Sequence, residues 1–175
     1  MPEYHIYVGA DHRGFQKKED LLPLIRDCHE NVIVEDLGAE SLVEDDDFND
    51  PALAVAKAVA KDKYSFGVLI CGSAHGVCMQ ANRVKGIRAI NAGTVASVEA
   101  GRADDHANVL CLSGDELDVD TMEKLIKTLC HTRPKMDERY VRRIERLDEE
   151  HAKAPGGVEF RLKVAADDEE DDEEE

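Results

Sequence analysis

The stretch ICGSAHGVCMQANR, residues 70–83, places a cysteine directly before a run of small residues. Cys71 ends an apolar segment that is typical of a buried strand, and the residues after it begin a helical pattern. A cysteine in this place can pack in a core, ligate a metal, attack a phosphate ester or accept a proton. The neighbouring residues narrow these four possibilities.

Residue spacing disfavours two of them. A cysteine-dependent phosphatase needs an arginine six positions after the cysteine to hold the phosphate, and Val77 stands there. Cys71, His75 and Cys78 offer three metal ligands, but at an unusual spacing and with no evident fourth ligand. We therefore predict no metal site, and we expect Cys78 to pack in a helix. An inert core cysteine and a proton-transferring cysteine both remain open.

The small residues after Cys71 favour proton transfer. Side chains as small as those of Gly72, Ser73, Ala74 and Gly76 let successive backbone N–H groups surround an anion at the start of a helix. The same positive helix end favours the thiolate form of a nearby cysteine. A thiolate beside such a pocket can remove a proton α to a carbonyl while the N–H groups stabilise the resulting enediolate.

GADHRG, residues 9–14, is a second polar loop that follows an apolar segment. Its two glycines have the spacing of a P-loop, but Phe15 and Gln16 stand where Lys and Ser/Thr are required, and neither loop reads G-x-G-x-x-G. Nucleoside triphosphate hydrolysis and dinucleotide binding are therefore disfavoured. Asp11 and His12 either face a ligand or cap the helix that follows.

Short apolar runs alternate with longer helical patterns, and these elements must position both loops. We predict strands at residues 4–8, 31–36, 66–70, 87–90 and 109–112, and helices at 15–28, 51–61, 76–84, 94–102 and 118–130. Near-continuous apolar strands are typical of a parallel sheet covered on both faces. The alternation predicts an α/β fold, a doubly wound sandwich with a five-stranded parallel sheet, in which ligands bind at the carboxyl ends of the strands.

The C-terminal part of the chain differs in composition. A strongly charged helix, predicted at about residues 135–151, carries a thin apolar stripe of Val141, Ile144 and Leu147. So thin a stripe rarely folds alone, and we expect it to lie across another surface, such as a second subunit. We predict one domain over residues 1–152 that includes this helix.

Residues 153–175 form a predicted tail, disordered from residue 167 onward. The tail ends in nine acidic residues, Asp167–Glu175. The whole chain has 39 acidic and 22 basic residues, which gives a net charge of −17. Without the nine acidic residues of the tail, 30 acidic residues remain and the net charge is −8. Such a block repels itself and stays solvated, although a docking role toward a basic partner is the alternative.

Bulk composition bounds the class of function. Hydrophobic residues make up 42% of the 175 residues, which is enough for a sizeable core. The negative charge disfavours nucleic acid as a partner. No apolar run reaches the roughly 18 residues of a membrane span, and the N-terminus begins no secretory signal, so we predict no membrane association. Five cysteines without short paired spacings fit reduced thiols in a cytoplasmic protein.

Four motifs together resemble the type B ribose-5-phosphate isomerase family, which includes galactose-6-phosphate isomerase subunits. The motifs, in family order, are VGADHRGF (8–15), GVLICGSAHGVCMQANRVKGIRA (67–89), ANVLCL (107–112) and ERYVRRI (138–144). The resemblance extends from about residue 4 to residue 148. It implies a Rossmann-like three-layer sandwich, a homodimer or a dimer of dimers with active sites shared between subunits, and no metal or organic cofactor.

The resemblance also assigns roles around the cysteine. Cys71 would shuttle a proton between C2 and C1 of an open-chain sugar phosphate. Ser73 and the backbone amides of its neighbours would hold the enediolate oxygens, and losing one such donor typically costs about 10²–10³ in rate. The residues that supply these amides are Gly72, Ala74, His75, Gly76 and Val77.

Further matches concern the rest of the substrate. Asp11 and His12 match residues that contact sugar hydroxyls and phosphate. Arg139 and Arg143 match phosphate-binding arginines, and their four-residue spacing places both guanidinium groups on one face of a helix. Family architecture would have them reach into the partner's site.

Three positions depart from the family pattern. The family usually reads His-Asn-Asp-Ala-Asn-Val before its fifth strand, and its His opens the furanose ring. Asp104 stands in place of that His, Asp105 in place of a substrate-binding Asn, and Asp115 in place of an arginine that contacts phosphate. These acids repel a phosphate unless arginines neutralise them; the candidates are Arg102, Arg139 and Arg143. A shifted loop could let His106 or His75 serve as the ring-opening group.

We therefore predict a cofactor-free aldose–ketose isomerase, by default of ribose 5-phosphate and ribulose 5-phosphate. If no ring needs opening, the substrate could be a tetrose 4-phosphate, because its O4 carries the phosphate and cannot close a furanose. A third interpretation is a sugar-phosphate-binding dimer that has lost catalysis. The acids at the three altered positions favour this interpretation, and the intact Cys71 loop disfavours it.

Overall fold

The structure is a computed structural model that describes residues 4–26 and 31–153. Five strands form one parallel sheet in the order β2-β1-β3-β5-β4. The strands are β1 Tyr4–Ala10, β2 Val32–Asp36, β3 Ser65–Cys71, β4 Ala89–Asn91 and β5 Val109–Ser113. The helices are α1 Phe15–Arg26, α2 Asn49–Lys61, α3 His75–Ala81, α4 Val95–Asp105, α5 Val119–His131 and α6 Glu138–Lys153.

The predicted α/β architecture is confirmed, and the differences lie at element ends. The helix predicted to end at residue 84 ends at Ala81 instead. The reason is Asn82, whose side chain donates to the Ala89 carbonyl and accepts from the Ala89 N–H, both at 2.8 Å. These bonds tie the end of α3 to the start of β4 and stop the helix. The predicted tail from residue 154 onward lies outside the described residues.

Two apolar cores lie on opposite faces of the sheet, because successive strand residues point to opposite sides. On β3, Val68 and Ile70 pack with α1, α4 and α5, while Leu69 and Cys71 pack with α2 and α3. Each large apolar side chain fully buried here contributes roughly 1.5–3 kcal/mol. Strand alternation therefore places the Cys71 thiol on the α2–α3 side.

A crevice forms at the carboxyl edge of the sheet, between the neighbouring strands β1 and β3. The chain leaves β1 toward β2 on one side and leaves β3 toward β4 on the other, so the loops after these strands diverge. Ala10 is in register with Ile70, and Cys71 with Ser113. The residues that follow β1, β3 and β5 therefore meet at one edge of the sheet, where open α/β sheets bind ligands.

The charged helix α6 packs on α4 of its own chain. Tyr140 and Ile144 are buried, whereas Leu147 is 57% exposed. The predicted stripe is therefore only partly covered, and a buried tyrosine that the stripe did not include is its main anchor. No helix in the described ranges is both long enough and apolar enough to span a membrane.

Candidate active site

The loop after β1 is held by the carboxylate of Asp11. This side chain is buried, and its Oδ1 accepts the N–H groups of Arg13 at 2.9 Å and of Gly14 at 3.0 Å. Burial raises the pKa of Asp11 despite these two bonds, which lower it. The sequence analysis left two roles open for Asp11, contact with a ligand or capping of the following helix. In the structure Asp11 has the second, structural role, because its carboxylate accepts N–H groups just before α1 begins.

His12 is fixed by the acidic loop before α2. Asp46 Oδ1 accepts the backbone N–H of His12 at 2.7 Å and lies 2.9 Å from its Nδ1. The hydrogen bond to Asp46 is the main cause that raises the pKa of His12, so the imidazolium form is favoured. No local pattern distinguishes Asp46 from its acidic neighbours, and the sequence analysis missed it.

The Cys71 loop is attached firmly to the end of β5. The Gly114 N–H donates to the Cys71 carbonyl at 2.8 Å. The Gly72 carbonyl accepts the Ser113 hydroxyl at 2.7 Å and the Asp115 N–H at 3.2 Å. Cys71 as a whole is only 4% exposed, so the residue is almost entirely buried.

Beyond Gly72 the backbone turns sharply into α3. Ala74 adopts a left-handed conformation with φ 65°, which costs a residue with a Cβ roughly 1–2 kcal/mol. Such strain is concentrated at functional sites. Five backbone N–H groups in this segment donate to no other residue in the described parts of the chain: those of Gly72, Ser73, Ala74, Gly76 and Val77. The predicted anion pocket therefore has uncommitted donors.

A third strand also reaches this loop. Asn91 ends β4, and its side-chain amide lies 3.5 Å from the Ser73 carbonyl and 3.4 Å from His75 Nδ1. His75 Nδ1 also faces the Ser73 carbonyl, so this nitrogen carries the proton that it donates. Asn91 was not predicted, although its place at a strand end is the kind of signal that identified the other loops.

The acid at position 115 is neutralised by an arginine that the sequence analysis missed. Arg13 Nη2 pairs with the Asp115 carboxylate. The guanidinium also lies directly against Gly72, where an added methyl group would overlap it. Arg102, one of the predicted partners, instead donates to the Ala107 carbonyl at 2.9 Å and covers the Phe66 ring.

The predicted residues Asp104, Asp105 and His106 lie at the opposite edge of the sheet. They end α4, just before Asn108, whose carbonyl accepts the N–H of Gly67 near the start of β3. Within one chain they therefore do not join Cys71. The physical reason is that a helix connecting two parallel strands returns from the carboxyl edge to the amino edge.

Both Asp104 and His106 have partners at that edge. Lys135 Nζ donates to Asp104 at 2.6 Å, and this bond is the main cause that raises the pKa of Lys135. His106 Nε2 donates to the Lys135 carbonyl at 2.8 Å, because a carbonyl oxygen can only accept. His106 thus connects the end of α4 to the segment before α6.

Arg139 and Arg143 share one side of α6, as their spacing predicts. Their guanidinium carbons lie 4.7 and 6.0 Å from the centre of the Tyr140 ring, and Lys135 Nζ lies 5.1 Å from it. Three cations therefore surround one buried tyrosine. Lys135 was not predicted, although it stands four residues before Arg139 and extends the same spacing.

No group of three or more His, Cys, Asp or Glu side chains in the described ranges is arranged to hold a metal ion. Cys78 lies in α3 against the α2–α3 core, and a hydrogen bond with Cys111 lowers its pKa. A cavity of about 660 Å³ is present at the amino edge, lined in part by Tyr64, Arg88 and Arg133. It is remote from the Cys71 loop, and we do not assign the chemistry to it.

Known proteins share this architecture. The family model described as Ribose/Galactose Isomerase matches residues 6–147. A probable ribose-5-phosphate isomerase B from Mycoplasma genitalium is 38% identical over 111 residues, 63% of this chain and 72% of that protein. D-erythrulose-4-phosphate isomerase 2 from Mycolicibacterium smegmatis is 34% identical over 122 residues, 70% of this chain and 80% of that protein.

A solved structure gives the same result for the fold. The crystal structure of ribose-5-phosphate isomerase B from Mycoplasma genitalium with bound ribulose-5-phosphate aligns with a TM-score of 0.81. The sequences are 29% identical, and the alignment covers 88% of this chain and 100% of that chain. The family model spans both the Cys71 loop and most of α6. The chain therefore belongs to the ribose/galactose isomerase family.

Proposed function

We propose that this protein is a cofactor-free aldose–ketose isomerase that interconverts ribose 5-phosphate and ribulose 5-phosphate. The observation that carries the proposal is the loop from Cys71 to Val77. It combines a thiol at the end of a buried strand with five uncommitted backbone N–H groups, at the edge where α/β sheets bind ligands.

The proposed reaction moves one hydrogen between adjacent carbons. The Cys71 thiolate removes the proton from C2 of the open-chain aldose, and the C–H electron pair forms a C1–C2 double bond. The carbonyl oxygen becomes an oxyanion, which the loop N–H groups and the Ser73 hydroxyl stabilise. The thiol then returns the proton to C1, and the proton of the C2 hydroxyl passes to the oxyanion on C1, so that C2 becomes a ketone and C1 carries a hydroxyl. No electron leaves the substrate, so no redox partner is required.

The proposal includes a homodimer, or a dimer of dimers, in the cytoplasm. Asp104 and Arg139 lie far from the Cys71 loop of their own chain, and this separation supports a site completed by the partner's arginines. Met79 on α3 is 65% exposed and Leu147 on α6 is 57% exposed, so apolar surface is available for a partner. We keep residues 1–152 as the catalytic domain.

The test is an isomerase assay with wild type, Cys71→Ala and a matched Cys130→Ala control in α5. We expect Cys71→Ala to abolish conversion of ribose 5-phosphate while leaving the fold intact, and Cys130→Ala to retain activity. In D₂O the wild type should incorporate deuterium at C1 or C2. Appreciable turnover by Cys71→Ala would overturn the assignment of the base, and a wild type without deuterium incorporation would indicate a non-catalytic binder.

A tetrose 4-phosphate is the second candidate substrate. The carboxylate of Asp104, where the family has its ring-opening His, is engaged by Lys135 at 2.6 Å. A four-carbon substrate needs no such group, and one similar protein is named a D-erythrulose-4-phosphate isomerase. Comparing kcat/KM for erythrose 4-phosphate and ribose 5-phosphate decides between them. Clearly faster conversion of the pentose would exclude the tetrose.

A further inference from the structure

We infer that Arg13 binds the phosphate group of the substrate from the same chain that supplies Cys71, with Asp115 holding its guanidinium in place. The inference rests on the proposed function. It assigns a substrate-binding role to Arg13, a residue of the GADHRG loop to which the sequence analysis gave no role, and it gives the Cys71 loop a cation of its own.

Arg13 is fixed to the candidate site at both ends. Its backbone N–H donates to Asp11 at 2.9 Å, which places the residue in the turn between β1 and α1. Its guanidinium Nη2 pairs with Asp115. The backbone N–H of Asp115 in turn donates to the Gly72 carbonyl at 3.2 Å. The cation is therefore held between the loops that follow β1, β3 and β5.

The guanidinium covers the first residue of the proposed anion pocket. It lies so close to Gly72 that any side chain at that position would displace it. Gly72 is also the first of the residues whose N–H groups are uncommitted. A substrate whose C1 and C2 lie at the Cys71 thiol has its phosphate a few carbon atoms away, within the range of a neighbouring long side chain.

The ion pair leaves most of the guanidinium available. A guanidinium carries five N–H donors, and Asp115 engages only Nη2. The Arg13 and Asp115 side chains are 54% and 47% exposed, so the guanidinium is accessible from outside the protein. His12 in its imidazolium form adds a second positive charge beside Arg13. Each of these cations is paired with a carboxylate, Asp115 or Asp46, and each keeps N–H donors that a phosphate can accept.

A purely structural surface pair would behave differently. Exposed ion pairs contribute little to folding, so removing one barely changes the melting temperature, and a pair that does not touch the substrate leaves its affinity unchanged. A phosphate-binding arginine instead contributes a charge-assisted hydrogen bond. Losing it raises KM by about tenfold or more, because such bonds are worth about 1.5–3 kcal/mol and each 1.4 kcal/mol is a factor of ten.

The experiment compares wild type with Arg13→Ala, Arg13→Lys and a control, Arg26→Ala, which removes an exposed arginine from the far end of α1. We expect Arg13→Ala to raise KM for ribose 5-phosphate about tenfold or more, with a smaller change in kcat. Arg13→Lys should be intermediate because an ammonium lacks the planar fork. Arg26→Ala should match wild type, and melting temperatures should agree across the set.

A charge-swap variant sharpens the test. Arg13→Ala combined with Asp115→Arg returns a guanidinium to the same crevice from the β5 side, and we expect it to recover most of the lost affinity. Calorimetric titration with inorganic phosphate gives a readout that does not depend on turnover. Phosphate should bind wild type and the swap variant, and bind Arg13→Ala at least severalfold more weakly.

The outcomes separate this inference from the proposed function. A wild type that isomerises no sugar phosphate, yet binds phosphate through Arg13, would contradict the proposed function and retain the inference. An active wild type with KM and phosphate affinity unchanged in Arg13→Ala would overturn the inference alone. A parallel fall in melting temperature and activity would assign Arg13 to folding and would overturn it as well.

Discussion

Asp11 offers the most direct test of how the first loop is built. Replacing it with alanine removes the acceptor of two N–H groups, those of Arg13 and Gly14, at 2.9 and 3.0 Å. The buried Gly14 N–H also donates to the backbone carbonyl of residue 11 at 3.0 Å, and alanine keeps this acceptor. Asp11→Ala therefore removes side-chain hydrogen bonds without leaving a buried donor unsatisfied, and such a loss costs about 0.5–1.5 kcal/mol. We expect Asp11→Ala to lower the free energy of unfolding by about this amount.

Asp11→Asn separates the hydrogen bonds from the charge. The amide oxygen can still accept hydrogen bonds from both N–H groups. A neutral side chain also avoids the cost of burying a charge, which is the main cause that raises the pKa of Asp11. The asparagine variant should therefore be at least as stable as wild type near neutral pH. Its advantage should grow as the pH rises through the raised pKa of Asp11, because wild type must then hold a buried charge.

Thermal unfolding followed by circular dichroism measures both variants. For a chain of this size 1 kcal/mol corresponds to about 2–4 °C, so Asp11→Ala should melt roughly 1–6 °C below wild type. An alanine variant with an unchanged melting temperature would refute the reasoning. An asparagine variant as unstable as the alanine variant would also refute it. If Asp11 contacts substrate as well, both variants lose kcat/KM, since both lose the charge.

Two further predictions concern the same edge of the sheet. Because Asp46 raises the pKa of His12, the imidazolium should persist above the ordinary histidine value of about 6.5. KM for ribose 5-phosphate should rise as the pH passes that raised pKa. Asp46→Asn should shift this rise in KM to lower pH. Identical plots of KM against pH for wild type and Asp46→Asn would contradict the assignment. Gly14→Ala would bring a Cβ within 2.5 Å of the Ile70 carbonyl oxygen, whereas Gly93→Ala would find its nearest atom at 3.8 Å. Overpacking of this kind costs about 1–3 kcal/mol, so Gly14→Ala alone should melt lower, and equal melting temperatures for the two variants would contradict this.

Local patterns were enough to predict the sheet and the Cys71 loop. Apolar runs such as that of β3 are legible because side-chain alternation and strand length are short-range properties of the chain. The small residues from Gly72 to Gly76 indicated an anion pocket for the same reason, since steric access to the backbone depends on the side chains of the segment itself. The end of α3 was predicted three residues late, because Asn82 ends it by bonding to β4.

The sequence by itself determined that a thiol and a series of backbone N–H donors lie at the end of a central strand. Only the tertiary structure decided which cations accompany them. Arg13 and Asp115 are 102 positions apart, and Lys135 and Asp104 are 31 apart. Such pairs depend on strand order and on the edge at which each loop emerges. Charges so distant in sequence meet only after the sheet has formed, and for that reason no spacing rule predicted them.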